Sequence, residues 1–195
     1  VSSYAKSLLF DKIEEKVGAE DTVLIAGSMP PGFEIKDLEK LMMLLNKIGC
    51  FIACDLSGEA LKTAVKFGVD FIKPNRFEIE ELSKQGQTLL ETVKELTKTI
   101  DYVIVSQGGA GSLCGHENEF YQIKPPAVVV KNDTGAGDCF VDSFLASLTQ
   151  QKTFVDALTF ATACSASKVQ YNDSSSFSVK DAENLQKKVV VEKID

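Results

Sequence analysis

Four short, continuous apolar runs alternate with segments of helical spacing, and this alternation most constrains what the chain can fold into. The runs sit in "DTVLIAGS", "CFIACDLSG", "VDFIKPN" and "DYVIVSQGGAGSLCG". A strand that is apolar at successive positions must be covered on both faces, the mark of a parallel strand between helical layers. Between the first two runs, "IKDLEKLMMLLNKIG" places Leu38, Leu41, Met42, Leu45 and Ile48 on one face and stops at Gly49. The adjacent Met42 and Met43 both read as core. Leu8, Leu9, Ile13 and Val17 predict a helix over 3–17, and further helices are expected over "EALKTAVKFG", from "EIEEL", and over 88–99, 136–149, 153–170 and 179–188. "SLCGHENEFYQI" reads as a hairpin. The expected fold class is a three-layer α/β/α structure with a mostly parallel sheet, built as a single domain over 1–195.

Composition narrows the function classes. A net charge of −7 argues against nucleic-acid and anionic-membrane partners. It leaves an anionic substrate open, because a helix N-terminus can override the global sign locally. No apolar run approaches the ~20 residues that span a bilayer. Cys50, Cys54, Cys114, Cys139 and Cys164 are odd in number and unpatterned, which reads as reduced thiols in a cytoplasmic protein. His116 is the one histidine and reads as a solvated turn residue, so a His-activated nucleophile and a zinc site are both disfavoured.

In an open α/β sheet, ligands gather beyond the carboxyl ends of the strands. The residues expected there are Gly27–Gly32 ("GSMPPG"), Asp55–Gly58, Lys73–Asn75, Ser106–Gly109 and Asn132–Asp138. The last is the most informative. Gly135, Ala136 and Gly137 open a helix, and small residues let an anion approach its unpaired backbone N–H groups. Asp138 follows in the first turn, where a carboxylate beside an anion hole can take a proton from an attacking hydroxyl. The bland alternative is an aspartate complementing the dipole behind an N-cap at Thr134. Against it, glycine weakens helix initiation by about 1 kcal/mol relative to alanine, which a purely structural start does not need.

Three weaker signals accompany it. Asn75 and Glu78 stand three apart across a strand-to-helix turn and could meet a hydrated Mg²⁺ and its phosphates, or simply form a turn and a helix start. Ser106, Gln107, Gly108, Gly109, Ala110 and Gly111 form a glycine-rich turn matching neither the Walker loop nor the dinucleotide fingerprint. Lys73 reads as an exposed strand-end lysine rather than a phosphate ligand.

Taken in order, "IAGSMPPG", "ACDLSGEAL", "FIKPNRFEIEEL", "VIVSQGGAGSL" and "NDTGAGDCF" resemble the ribokinase (PfkB) carbohydrate kinases, in the branch of 1-phosphofructokinase and tagatose-6-phosphate kinase. The resemblance implies ATP-dependent phosphoryl transfer to a sugar phosphate (fructose 1-phosphate or tagatose 6-phosphate). Asp138 would be the base and Gly135–Gly137 the anion hole. Asn75 and Ser106–Gly111 would contact ATP together with Gly137 and Asp138, and Glu78 would act on Mg²⁺ through water. The helix at 153–170 would border the adenine. Asn132 stands where many relatives carry an aspartate helping to hold a monovalent cation, which argues against a K⁺ requirement. The family is about 300 residues long. Its first third supplies sugar-binding residues and a β lid that often mediates dimerisation, so the resemblance implies that this chain is a C-terminal portion of a longer kinase able to form a homodimer. Two other readings stay open: a nucleotide-binding module without catalysis, and a kinase of another sugar or a nucleoside.

Overall fold

The computed structural model describes all residues from Val1 to Asp195. The chain divides into two compact units, Val1–Val105 and Ser106–Asp195. The helices and strands read from the sequence are present and one further strand was not foreseen, but the run before Asn132–Asp138, expected to end as a strand of the sheet, forms none, and Val129 and Val130 are exposed.

The first unit is built from strand–helix repeats. Its elements are α1 (Ser3–Lys16), β1 (Thr22–Ala26), α2 (Ile35–Ile48), β2 (Phe51–Asp55), α3 (Gly58–Phe67), β3 (Phe71–Ile72), α4 (Arg76–Glu80), α5 (Leu89–Leu96) and β4 (Tyr102–Ser106). The strands pair in chain order, all parallel, with Ala26 beside Asp55 and Ile72 beside Val103. The apolar runs of β2, β3 and β4 are buried as their continuity requires: Ile52, Ala53, Cys54, Phe71, Ile72 and Val103–Val105 are nearly or wholly inaccessible. Burying side chains of this size stabilises by roughly 1.5–3 kcal/mol each. The run in β1, expected to be buried as well, is not: β1 pairs with β2 alone, Val23–Ile25 are only partly covered, and Thr22 and Ala26 are exposed.

Helix α2 buries Leu38, Leu41, Met42 and Leu45. Met43 does not join them; it is 54 % exposed, because one residue along a helix turns the side chain about 100° away from the core. Gly49 ends the helix in the left-handed region at φ 79°. Helix α1 has no fully buried residue, and Leu8 and Leu9 remain 42 % exposed. It is tied to α2 by Lys6 Nζ, 2.5 Å from Asp37 Oδ2.

The second unit contains a 3₁₀ turn (Gly108–Ala110), β5 (Ser112–His116), β6 (Glu119–Lys124), α6 (Ala136–Thr149), α7 (Phe154–Lys168), α8 (Val179–Gln186) and β7 (Val190–Ile194). β5 and β6 form the expected antiparallel hairpin, with Cys114 opposite Tyr121. Its two-residue loop, Glu117 and Asn118, has positive φ at both positions, the geometry that matches strand twist. The unforeseen β7 pairs antiparallel with the far side of β6. Lys193 reaches Glu119 at 2.6 Å and Lys124 reaches Glu192 at 2.9 Å across that pair.

Aromatic rings knit the second unit together. Phe154 meets Phe144 edge-on at 6.1 Å, Tyr121 at 6.0 Å and His116 at 5.0 Å between centroids. This corrects the reading of His116 as a solvated turn residue. It is the last residue of β5, half-buried against Phe154.

Candidate active site

In the first unit, the ends of β2 and β3 bring Asp55 and Lys73 together. Lys73 Nζ lies 3.3 Å from Asp55 Oδ2, and the lysine is only 9 % exposed. The expectation of an exposed strand-end lysine is therefore wrong. Parallel neighbours end side by side, so a carboxylate closing one strand can hold a lysine closing the next, and a buried ammonium needs such a partner.

Two residues further on, Asn75 caps α4. Its Oδ1 accepts the N–H groups of Phe77 (2.8 Å) and Glu78 (3.0 Å), while Glu78 Oε2 accepts the Asn75 N–H at 2.8 Å. This is a reciprocal capping box. The two residues singled out from the sequence thus meet each other, and they do so through half of their polar atoms.

In the second unit, the glycine-rich turn folds back on itself. Gln107 N–H donates to Gly111 O at 2.8 Å, and Gly111 N–H to Gly108 O at 2.9 Å. Gln122 of β6 donates from Nε2 to Gln107 Oε1 at 3.1 Å. The glycines differ in purpose. At Gly111 a Cβ would stand 1.8 Å from the Ile123 carbonyl oxygen, so this glycine serves the close approach of β6. Gly108 and Gly109 face open space, with nothing within 4 Å of where a Cβ would be.

The segment before α6 is the most tightly specified. Asn132 Oδ1 accepts the Thr134 N–H at 3.0 Å, its Nδ2 donates to Asn172 O at 2.9 Å, and its own carbonyl accepts Lys168 Nζ at 2.8 Å. The chain then enters α6 through Gly135, the N-cap, held left-handed at φ 82°. No side chain caps this helix, so Thr134 does not take the N-cap role weighed for it; its N–H is drawn toward Asn132 instead. Ser165 Oγ of α7 donates to the Ala136 carbonyl at 3.0 Å, fixing the first turn from behind. Gly137 and Asp138 are exposed at the front. Sequence reasoning missed Lys168 entirely. It is wholly buried, yet a lysine closing a helix reads as an ordinary complement to the dipole.

The chemistry open to this chain is bounded by what it lacks. All five cysteines are free, and burial pushes the thiols of Cys54 and Cys114 up to about 12 and that of Cys139 up to about 11. None is poised as a thiolate nucleophile. No group of three or more His, Cys, Asp or Glu side chains is arranged to hold a metal ion. No helix is long and apolar enough to cross a membrane.

The helix start before Asp138 is thus uncapped by any side chain and flanked by glycine, and solved structures share the α/β fold that carries it. Phosphofructokinase-2 from Escherichia coli in complex with substrates and products superposes with a TM-score of 0.88 at 23 % identity, over 96 % of this chain and 63 % of that one. A Thermotoga maritima protein described as "Possible 1-phosphofructokinase" does so with a TM-score of 0.81 at 17 % identity, over 98 % of this chain and 62 % of that one. The α/β, ribokinase-like fold class read from the sequence is thereby shown. The pfkB family carbohydrate kinase profile matches residues 2–181, and the chain belongs to that family. Among curated proteins, it is 29 % identical over 164 residues to the ATP-dependent 6-phosphofructokinase isozyme 2 of Escherichia coli strain K12. The match takes in 79 % of this chain and 53 % of that protein, so the chain spans about half the relative's length.

Proposed function

We propose that this chain carries the nucleotide-binding and phosphoryl-transferring part of an ATP-dependent sugar-phosphate kinase of the phosphofructokinase type. The observation that carries the reading is the start of α6. Gly135 holds the backbone left-handed, no side chain caps the helix, and Asp138 stands exposed in the first turn. Backbone N–H groups of Gly135 and Gly137 take the charge of the transferred phosphoryl, while that of Ala136, the third member expected of the anion hole, is given to the Asp133 carbonyl at 3.0 Å, and Asp138 accepts the proton of the attacking sugar hydroxyl. Phosphoryl transfer asks mainly for positioning and charge neutralisation, so it suits a chain without a reactive thiol or a poised imidazole.

Asn75 and Glu78 serve the nucleotide and its magnesium. The cap occupies Asn75 Oδ1 and Glu78 Oε2, which leaves Asn75 Nδ2 and Glu78 Oε1 as the atoms a ligand would meet. Mg²⁺, arriving with the nucleotide, would neutralise phosphate charge, and one carboxylate acting through water fits an ion that retains much of its hydration shell. The open faces of Gly108 and Gly109 suit close approach of ATP to the turn from Ser106 to Gly111. Fructose 1-phosphate and tagatose 6-phosphate are the acceptors the sequence resemblance favours. Fructose 6-phosphate is the ligand of the Escherichia coli phosphofructokinase-2 structure.

Calorimetric titration with Mg·ATP, run beside a coupled ADP-release assay on these three sugar phosphates, tests the reading. Saturable ATP binding is expected, with release depending on one sugar phosphate when the sugar-binding residues are present. Absence of ATP binding overturns the proposal.

A further inference from the structure

Lys168 has no role in the reading above, yet it is among the most buried polar residues of the molecule, at 0 % exposure. A lysine taken fully out of water is costly unless its amine finds compensating partners. The one it finds is informative. Nζ donates to the carbonyl of Asn132 at 2.8 Å, three residues before the Gly135 N-cap. The same lysine's Cε lies 3.7 Å from where a Cβ of Gly135 would be. Its backbone neighbourhood grips the same turn, since the Val169 carbonyl accepts the N–H groups of Lys131 (2.7 Å) and Asn132 (3.2 Å). Asn172 O receives Asn132 Nδ2 at 2.9 Å, and Ser174 O crowds Gly135. The end of α7 and the strand of residues after it therefore present a row of carbonyls to the 132–135 turn, and Lys168 supplies the single buried cationic side chain in that contact.

We propose that Lys168 is a positioning residue: its amine, internal to the fold, holds the 132–135 backbone in the conformation that aims the N-terminus of α6 at a phosphate. This rests on the proposed function for what α6 binds, but the ordering of the turn does not. The lysine touches no reacting atom. Its effect is exerted through Asn132 and Gly135, and it supplies from within the chain a positive charge that the surrounding carbonyls would otherwise draw from solvent as a small monovalent cation.

The test pairs Lys168→Met, which keeps length and apolar bulk, with wild type in two independent measurements on the whole chain. Hydrogen exchange of the 132–137 amides reads the turn; it should quicken by about tenfold or more in the variant, the loss expected for a charge-assisted hydrogen bond. Mg·ATP affinity reads the function and should weaken by a similar factor, with partial recovery in ammonium or potassium chloride but not in the chloride of a bulky quaternary cation. Wild type should show no such salt response. Unchanged exchange and unchanged affinity would reduce Lys168 to packing and overturn the proposal. Quickened exchange in the variant, alongside a wild type that binds no ATP at all, would leave Lys168 as an organiser of the turn while refuting the kinase reading. Should Lys168→Met not fold, the wild-type protein still decides. A protected, slowly exchanging Lys168 ammonium proton signal that moves on adding ATP supports the inference, and a signal like that of the surface lysines overturns it.

Discussion

The carbonyl oxygen of Ser174 stands 2.1 Å from where a Cβ on Gly135 would lie, so the residue opening α6 must be glycine for two reasons at once. Its φ of 82° already disfavours any side chain, and the 172–174 segment fills the space a side chain would need. Gly135→Ala is expected to cost about 1–2 kcal/mol for the left-handed conformation alone. Relief of the backbone clash must then move Ser174 or the helix start. Urea denaturation should show the loss, and ATP affinity should fall with it. A variant of wild-type stability would mean that the turn tolerates displacement.

Asp138 is exposed and is not the residue that caps its helix, so removing its charge should spare the fold. Asp138→Asn is expected to change stability by no more than about 0.5 kcal/mol. If Asp138 is the base of the proposed phosphoryl transfer, the same change should lower kcat by about 10²–10⁴-fold, the range for loss of a general base, with ATP affinity little altered. Near-normal turnover would remove Asp138 from the role given to it.

The capping box at α4 separates structure from chemistry. Asn75→Ala deletes the oxygen that holds two N–H groups and should cost about 1 kcal/mol of stability. Glu78→Gln keeps an oxygen for the Asn75 N–H, so the cap should survive. If Glu78 also acts on magnesium through water, the Mg²⁺ concentration for half-maximal turnover should rise by about 10–100-fold in that variant. An unchanged Mg²⁺ requirement would leave Glu78 as a cap alone.

Asp173 gives a pH signature in the loop that crowds Gly135. Hydrogen bonds from the backbone N–H groups of Ser175 (2.9 Å) and Ser176 (2.6 Å) hold its carboxylate well below the usual range, at about 2. A depressed carboxylate contributes stability that is complete above the unfolded value of about 4 and is lost as pH falls through about 2. The amides of Ser175 and Ser176 should therefore stay protected from exchange at pH 4 and lose protection progressively below it. An NMR carboxyl titration of Asp173 with an ordinary midpoint would contradict this.

Much of this architecture was legible because it is local. Continuous apolar runs declare buried parallel strands, and helical spacing with glycine stops brackets α2 within a residue. What escaped depends on contacts distant in the chain. His116 lies in the predicted hairpin, but only Phe154, on another element, turns it from a solvated residue into a packed one. Lys73 resembles any lysine at a strand end until β2 brings Asp55 beside it. The segment containing β7 breaks from valines into Glu192 and Lys193, so no continuous apolar run declares it, and it becomes a strand by pairing with β6. At the candidate site, the glycines and Asp138 stood out by residue type. The distinction between Gly111, which admits β6, and Gly108, which faces open space, needed the structure. So did Lys168, whose type and position are those of an ordinary helix-ending cation.

The pairing of β7 with β6 bears on how the chain must be made. Lys124 and Glu192 are 68 residues apart in sequence, and the outer edge of β6 has no partner until the second of them has been synthesised. During translation the hairpin of β5 and β6 emerges from the ribosome well ahead of the strand that finishes it. Through that interval it exposes an unpaired row of backbone donors and acceptors of the kind that recruits other chains. The parallel repeats of the first unit join neighbours close in sequence and can close as they are made, whereas the second unit is held open by its own topology. Nascent-chain quality control would find its opportunity there, and slower elongation through α6 and α7 would lengthen it.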